Sequence, residues 1–256
     1  MLKGVILAGG KGTRLAPLTE IVNKHCLPVY DKPMIMYPLN TLKSLGIKDI
    51  LIVTGGEHIG SFAEFLGDGA KFDVSLTYKV QNEANGIAGA LALAENFAGD
   101  SGIAVILGDN IFGDISYIAI PEDVGTRKAF FLFSEVPDPK RFGVPEFGVA
   151  DGDPWTLRRK LVAIEEKPEK PKSNYAVTGF YIYPPDVFDV IRTQLPSARG
   201  EYEITDTNNF YIDNNRCEYQ TLELMLSFWS DAGTHESLLE SANWARDNSK
   251  KNSSIP

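Results

Sequence analysis

Three short apolar runs, Val5–Ala8, Ile50–Thr54 and Ile103–Leu107, each stop at glycine, and this punctuation constrains the fold most. Runs this short, dominated by valine, isoleucine and leucine, have the length of fully covered strands and are too brief for helices. The first ends in Gly9-Gly10, the second in Gly55-Gly56 and the third in Gly108-Asp109-Asn110. A further strand is predicted over 74–80, with Val74, Leu76, Tyr78 and Val80 on one face. Helical spacing is predicted over 34–45, 57–66 and 87–97, with Ile59, Phe62, Phe65 and Leu66 inward in the second. Strands and helices in this alternation give parallel βαβ units with right-handed crossovers.

From about Ile115 the rhythm changes. Strands are predicted over 128–136, 146–150, 161–164 and 175–183, with a turn at 151–154. Helices are predicted over 186–193 and 204–214, and late strands over 218–223 and 226–230. Thr234 is placed to cap a last helix running to about Arg246, followed by a polar, frayed tail over 247–256. The expectation is one domain of 256 residues. It has an α/β half over about 1–115, a mixed-sheet half over about 116–230 and a C-terminal helix with its tail.

The formal charge of −9 argues against a general nucleic-acid surface, which needs a basic stripe. An anionic small ligand stays compatible, because a few clustered cations and a metal dominate a cleft locally. Cys26 and Cys217 form no Cys-x-x-Cys pair, and His25, His58 and His235 are not at ligand spacing, so neither zinc nor a disulfide is expected. Both thiols are expected reduced and buried. No run is long enough to span a membrane, and the start does not read as a signal segment, so a soluble cytoplasmic protein is expected.

The stretch after the first strand, Gly9-Gly-Lys-Gly-Thr-Arg14, reads as a phosphate loop. Its glycines allow backbone N–H groups to approach an anion, and Arg14 adds a permanent fork of donors. It is not the dinucleotide fingerprint, whose third glycine is replaced by Leu15, nor a P-loop, since Gly10-Lys11-Gly12 lacks the following Ser or Thr. Pro28 and Pro33 deny the next segment a long helix, so an extended passage is expected to bring Lys24 to the cleft of Arg14. Asp109 and Asp231 each follow a strand, a placement that suits magnesium shared with phosphates. Glu165-Glu166-Lys167-Pro168 offers a second phosphate anchor in Lys167 beside Glu166, and Glu201 is a candidate hydroxyl acceptor.

These stretches, taken in order, resemble the glucose-1-phosphate thymidylyltransferases of the sugar nucleotidyltransferase (nucleotide-sugar pyrophosphorylase) family, in a short form. The resemblance is carried by Leu7–Leu15, Asn23-Lys24, Leu27–Ile35, Gln81 with Gly86, Leu107–Asn110, Glu165–Pro168, Pro171–Gly179, Arg199–Asp206 and Asp231–Thr234. It implies a Rossmann-like α/β fold, with a mixed, mostly parallel sheet flanked by helices and overlain by a smaller mixed sheet. It further implies that Leu7, Gly9, Gly10, Gly12 and Thr13 wrap a nucleotide, with Gln81 and Gly86 on its pyrimidine. Arg14 and Lys24 would hold the triphosphate, and Asp109 with Asp231 would hold Mg2+. Gly143, Glu166, Val177, Tyr181 and Glu201 would line a sugar pocket, with Lys167 on the sugar phosphate. Arg14, Lys24 and Lys167 are the implied catalytic cations.

The implied substrates are dTTP and glucose 1-phosphate, in a homo-oligomer. Phe142 and Gly89 depart from the family, which often has tyrosine and glutamine there. The chain also ends where longer members add a helical segment tied to feedback control, so the resemblance does not extend to that control.

The implied reaction is in-line attack of a sugar-phosphate oxygen on the α-phosphorus, expelling pyrophosphate. The nucleophile is already ionised, which agrees with a sequence containing no nucleophile–base triad. A Gln81 amide serves thymine and uracil alike, so uridylyl transfer is the alternative within the class. A catalytically silent nucleotide-sugar sensor is the alternative outside it.

Overall fold

Buried hydrophobic runs become strands where the sequence places them. The computed structural model describes residues 2–149, 159–222 and 227–252. In chain order, β1 (Lys3–Ala8) leads to a small hairpin, β2 (Pro28–Val29) with β3 (Lys32–Pro33), and then α1 (Met36–Ser44). Next come β4 (Asp49–Gly55), α2 (Ile59–Leu66) and β5 (Ser75–Gln81). Two short helices, α3 (Ile87–Ala92) and α4 (Glu95–Ala98), precede β6 (Ile103–Leu107) and β7 (Ile111–Phe112). β8 (Ala129–Glu135), β9 (Gly143–Phe147), β10 (Leu161–Glu166) and β11 (Tyr175–Tyr183) follow. The described chain closes with α5 (Val187–Arg192), α6 (Ile204–Asp213), β12 (Cys217–Thr221), β13 (Trp229–Ser230) and α7 (His235–Asn252).

Seven strands form one mixed sheet in the order β12-β8-β11-β6-β1-β4-β5. β1 and β4 run parallel, as do β4 with β5 and β8 with β12, whereas β8 and β11 are antiparallel. β9 and β10 pair apart from it as a small antiparallel sheet. Within the apolar runs read from the sequence, Val5, Ile6, Ile50, Ile52, Val53 and Ile103 to Ile106 are fully inaccessible. No helix among the described residues is long and apolar enough to cross a membrane.

By backbone contact the chain forms two compact units, each discontinuous in sequence. One comprises Met1–Leu2, Asn85–Ala104 and Ile118–Leu226, and the other Lys3–Ala84, Val105–Tyr117 and Ser227–Pro256. The second has its own apolar cluster of Val29, Met34, Ile111, Ala232 and Ala245, flanked by Phe228 and Trp244 stacked 4.5 Å apart.

Several expectations need correction. The helix expected over 87–97 breaks into α3 and α4, with Leu93 and Ala94 between them. Phe65 is exposed, packing on Phe72 under the Lys71 ammonium, because α2 buries only its Phe62 and Leu66 line. The passage from Ile21 to Met34 includes a 3-10 turn at Lys24–Cys26 and the β2–β3 hairpin instead of running extended throughout. The strand expected over 146–150 lies at Gly143–Phe147. Both thiols are half-buried, not buried. The polar tail is helical as far as Asn252. The turn expected at 151–154, and the ends of the late strands at 223 and 226, lie outside the described residues.

Thr234 caps α7 as its sequence position suggests. Its Oγ1 accepts the Ser237 N–H at 3.2 Å, and Ser237 Oγ in turn accepts the Thr234 N–H at 3.1 Å, a reciprocal arrangement that satisfies two orphan donors. Thr234→Ala is expected to cost about 1 kcal/mol of stability, measured by denaturant unfolding, while Thr234→Ser retains most of it.

Candidate functional site

In the unit that holds β1, the strand ends deliver charged groups to one place. β1 stops at Ala8, and the chain turns through Gly12, whose φ of 66° is a left-handed value that residues with a side chain rarely adopt. Gly12 leads into a 3-10 turn, Thr13–Leu15, anchored by the fully buried Leu15. The Thr19 hydroxyl donates to the Gly12 carbonyl at 2.9 Å, and the His235 ring lies 3.1 Å from the Ala16 carbonyl, tying the loop to the start of α7. A side chain at Gly9 would meet the Gln81 amide oxygen at 2.5 Å, so the end of β5 presents Gln81 directly over the glycine loop.

Lys24 donates from Nζ to Asp109 Oδ2 at 2.6 Å, with both side chains almost fully covered. Asn110 Nδ2 donates to Asp109 Oδ1 at 3.0 Å, and Trp229 Nε1 donates to Asn110 Oδ1 at 2.7 Å. Burial alone would raise the Asp109 carboxyl. Lys24, His25 and the two hydrogen bonds outweigh it and hold the pKa down to about 2. The β7–β13 register pairs Ile111 with Ser230. One step further sets Asp231 across from Asn110, next in the chain to Asp109. The Arg14 guanidinium reaches the same turn, its Nη2 lying 3.0 Å from where a Gly233 Cβ would stand. The structure thus joins Lys24 to Asp109 at the end of β6, sets Arg14 beside the Asp231–Gly233 turn and places Gln81 over Gly9.

A buried pair supports this cluster that the sequence reading passed over. Asn23 Oδ1 accepts both the His25 backbone N–H at 2.8 Å and His25 Nδ1 at 2.9 Å, which assigns the proton to Nδ1. This contact shapes the turn that carries Lys24. The imidazole packs so closely on Gly108 that a Cβ there would meet Nε2 at 2.9 Å. His25 therefore wedges the Lys24 turn against the end of β6. The available signals were Asn at a cap position and a glycine before the aspartate.

The other unit holds a second polar cluster. The β9–β10 register sets Glu166 opposite Gly143, and Val177 and Thr205 border the same glycine. The Thr205 hydroxyl donates to Glu166 Oε2 at 2.6 Å. Lys167 follows in a left-handed conformation, φ 46°, its N–H donating to the Phe142 carbonyl at 3.0 Å and its Nζ lying 3.2 Å from Glu166 Oε1. A non-glycine residue in that region is strained, a condition that collects at binding sites.

Arg199, quoted in the motif but given no role, holds Glu203 at 2.8 Å, Glu201 at 3.5 Å and Glu166 at 3.7 Å. Gly86 belongs to this unit and packs on the Glu201-Tyr202 backbone. Tyr181 is buried, stacked on Tyr183 at 5.9 Å. The departure at Gly89 has a local reason: the Asn85 side chain fills the space a Cβ would need.

Among the described residues, no group of three or more His, Cys, Asp or Glu side chains is placed to hold a metal alone. A carboxylate held in its ionised form is nevertheless a suitable donor for magnesium, which takes oxygen ligands, keeps several waters and is completed by substrate phosphates. Asp109 is ionised by its surroundings, so the donor chemistry is right.

Burial, then Lys24, pushes His25 down to about 3, with Asp109 opposing and His58 adding slightly. The folded state therefore holds His25 neutral while the unfolded chain protonates it near the ordinary histidine value of 6.5. Its contribution to stability is fully present above pH 6.5 and is lost as pH falls towards about 3. Thermal unfolding should lose up to about 1.4 kcal/mol per pH unit below 6.5 from this group, and His25→Gln should flatten that slope.

The nucleotidyl transferase family matches residues 3–248. The glucose-1-phosphate thymidylyltransferase of Neisseria meningitidis serogroup A is 43% identical over 247 residues, covering 96% of this chain and 83% of that protein. The protein of the same name from Mycolicibacterium smegmatis is 43% identical over 248 residues, covering 96% and 82%. A Bacillus anthracis crystal structure with sucrose, assigned as a glucose-1-phosphate thymidylyltransferase, superposes with a TM-score of 0.85 at 46% identity, covering 96% of each chain. A UDP-glucose pyrophosphorylase with UDP-glucose has a TM-score of 0.79 at 23% identity, covering 97% of this chain and 100% of that one, which is a likeness of fold alone. The chain belongs to the nucleotidyl transferase family, in the group of the glucose-1-phosphate thymidylyltransferases.

Proposed function

We propose that this protein joins dTTP and glucose 1-phosphate into dTDP-glucose and pyrophosphate. The observation that carries the reading is the Lys24–Asp109 pair beside a glycine loop, with Arg14 reaching the turn at Gly233. Likeness over 96% of the chain to proteins named for this activity supports it.

Two polyanions must come into contact for the reaction, and unit charges about 4 Å apart repel by about 4 kcal/mol at an effective dielectric near 20. Arg14 and Lys24 would neutralise the triphosphate, with Gly9, Gly10, Gly12 and Thr13 wrapping it and Leu7 beneath. Gln81 and Gly86 would contact the thymine. Lys167 would hold the sugar phosphate, while Glu166 and Glu201 accept sugar hydroxyls beside Gly143, Val177 and Tyr181. Asp109 and Asp231 would hold Mg2+, which when bound supplies positive charge to the phosphate oxygens. A phosphate oxygen of the sugar forms the new bond to the α-phosphorus as the bond to pyrophosphate breaks. No protein base takes a proton.

Pyrophosphate release with dTTP and glucose 1-phosphate tests the reading, and turnover should require a divalent cation and fall at least tenfold when UTP replaces dTTP (about 1.4 kcal/mol). Equal or better use of UTP would overturn the thymidylyl assignment. Lys167→Ala should raise KM for glucose 1-phosphate by about 10- to 100-fold, the loss of one charge-assisted hydrogen bond, with KM for dTTP little changed.

A further inference from the structure

The Lys24–Asp109 contact poses a conflict. Lys24 is assigned to the triphosphate and Asp109 to the metal, yet in this structure each is the other's partner at 2.6 Å. Both oxygens of Asp109 are engaged, Oδ2 by the ammonium and Oδ1 by Asn110. A divalent cation about 2.1 Å from Oδ2 would stand almost against that ammonium, with little water to screen the two like charges.

The lysine also lies where a small movement changes its partner. Its stem runs along the glycine loop: Cβ and Cδ lie 3.0 and 3.3 Å from where a Gly12 Cβ would stand. Nζ lies 3.7 Å from the corresponding point at Gly10. The Asn23–His25 wedge fixes the backbone of the turn but leaves the four-carbon stem to swing.

We propose that Lys24 is the resident counter-ion of Asp109 and keeps the metal seat closed until a triphosphate draws the ammonium onto the glycine loop. This rests on the assignment of Asp109 to the metal made above. Asp109 exchanges an ammonium for a dication and Lys24 exchanges a carboxylate for phosphate oxygens. At no stage is either charge buried without a partner, the condition that makes broken buried pairs costly. The metal therefore enters with the nucleotide and binds the nucleotide-free protein weakly.

The test is a Mn2+ titration of the nucleotide-free protein, followed by electron paramagnetic resonance of the free ion. Lys24→Gln, which keeps a donor for Asp109, and Lys24→Met should each bind Mn2+ about tenfold or more tightly than the parent, by removal of one adjacent positive charge. Lys24→Arg, which keeps the charge, should stay weak. Arg14→Gln removes an exposed cation from the same loop and should also stay near the parent. Adding Asp109→Asn to Lys24→Gln should abolish the gain.

The proposal fails if Lys24→Gln binds no more tightly, if Arg14→Gln gains equally, or if the gain survives loss of the Asp109 carboxylate. Pyrophosphate release by the parent protein reads the functional assignment separately. Turnover with no gain in Lys24→Gln sinks the counter-ion proposal alone, and a gain without turnover sinks the assignment alone.

Discussion

A largely covered ammonium held against a largely covered carboxylate organises half of this molecule. Lys24 and Asp109 are 85 residues apart, and their meeting requires that β1, the turn at Lys24–Cys26 and the end of β6 be fixed together. The parallel sheet makes this possible. In βαβ units every strand of the set ends on the same side, so the residues after Ala8 and Leu107 emerge as neighbours. The Gly108 N–H donating to the Leu7 carbonyl at 2.9 Å continues the ladder one residue past β6, immediately before the carboxylate. Truncating one partner of such a pair is costly because the other keeps its charge without compensation. The Asn23–His25 contact, the bare Cα of Gly108 and the Asn110–Trp229 hydrogen bond all serve to hold that pair in register.

The sequence was most informative where one physical demand dominated. Ile103–Leu107 reads as a strand because a short run rich in isoleucine and valine suits a strand covered on both faces, and it is one. Tyr175–Tyr183 was legible for the same reason, being buried along almost its whole length. Gly12 and Thr234 were legible because a left-handed turn and a helix cap each admit few residue types. Errors arose where tertiary neighbours decide. Nothing local in 87–97, an alanine-rich run, marks the break at Leu93 and Ala94. Phe65 matches an inward helical spacing, but the turn at Ala70–Phe72 brings Phe72 and Lys71 to cover it from outside.

The candidate site divides in the same way. Arg14, Lys24, Asp109 and Asp231 were nameable because charged residues beside glycine at strand ends have a restricted set of uses. His25 was not nameable, since an isolated histidine in a sequence gives no sign of whether it is buried. Arg199 was quoted as part of a motif, and Glu201 and Glu203 are its chain neighbours, but its reach to Glu166 depends on β10 meeting the start of α6, which no local pattern reveals. The small residues are similar. Gly89 looks like a departure until Asn85 is seen to occupy its missing side chain.

The histidine beside the charged pair bears on the chemistry by what it is prevented from doing. With its pKa lowered to about 3 by burial and then by Lys24, and with Nδ1 committed to Asn23, His25 cannot exchange protons near neutral pH. An acyl or glycosyl transfer that needed a general base would be poorly served by such a group. Phosphoryl transfer from an already ionised oxygen asks for positioned charge instead, and fixed charge is what a neutral wedge beneath Lys24 and Asp109 preserves. A protonated imidazole in that position would add a second buried cation beside Lys24 and compete with it for Asp109. Burial first, and Lys24 second, thus keep His25 uncharged and leave Lys24 as the cation facing Asp109 near neutral pH.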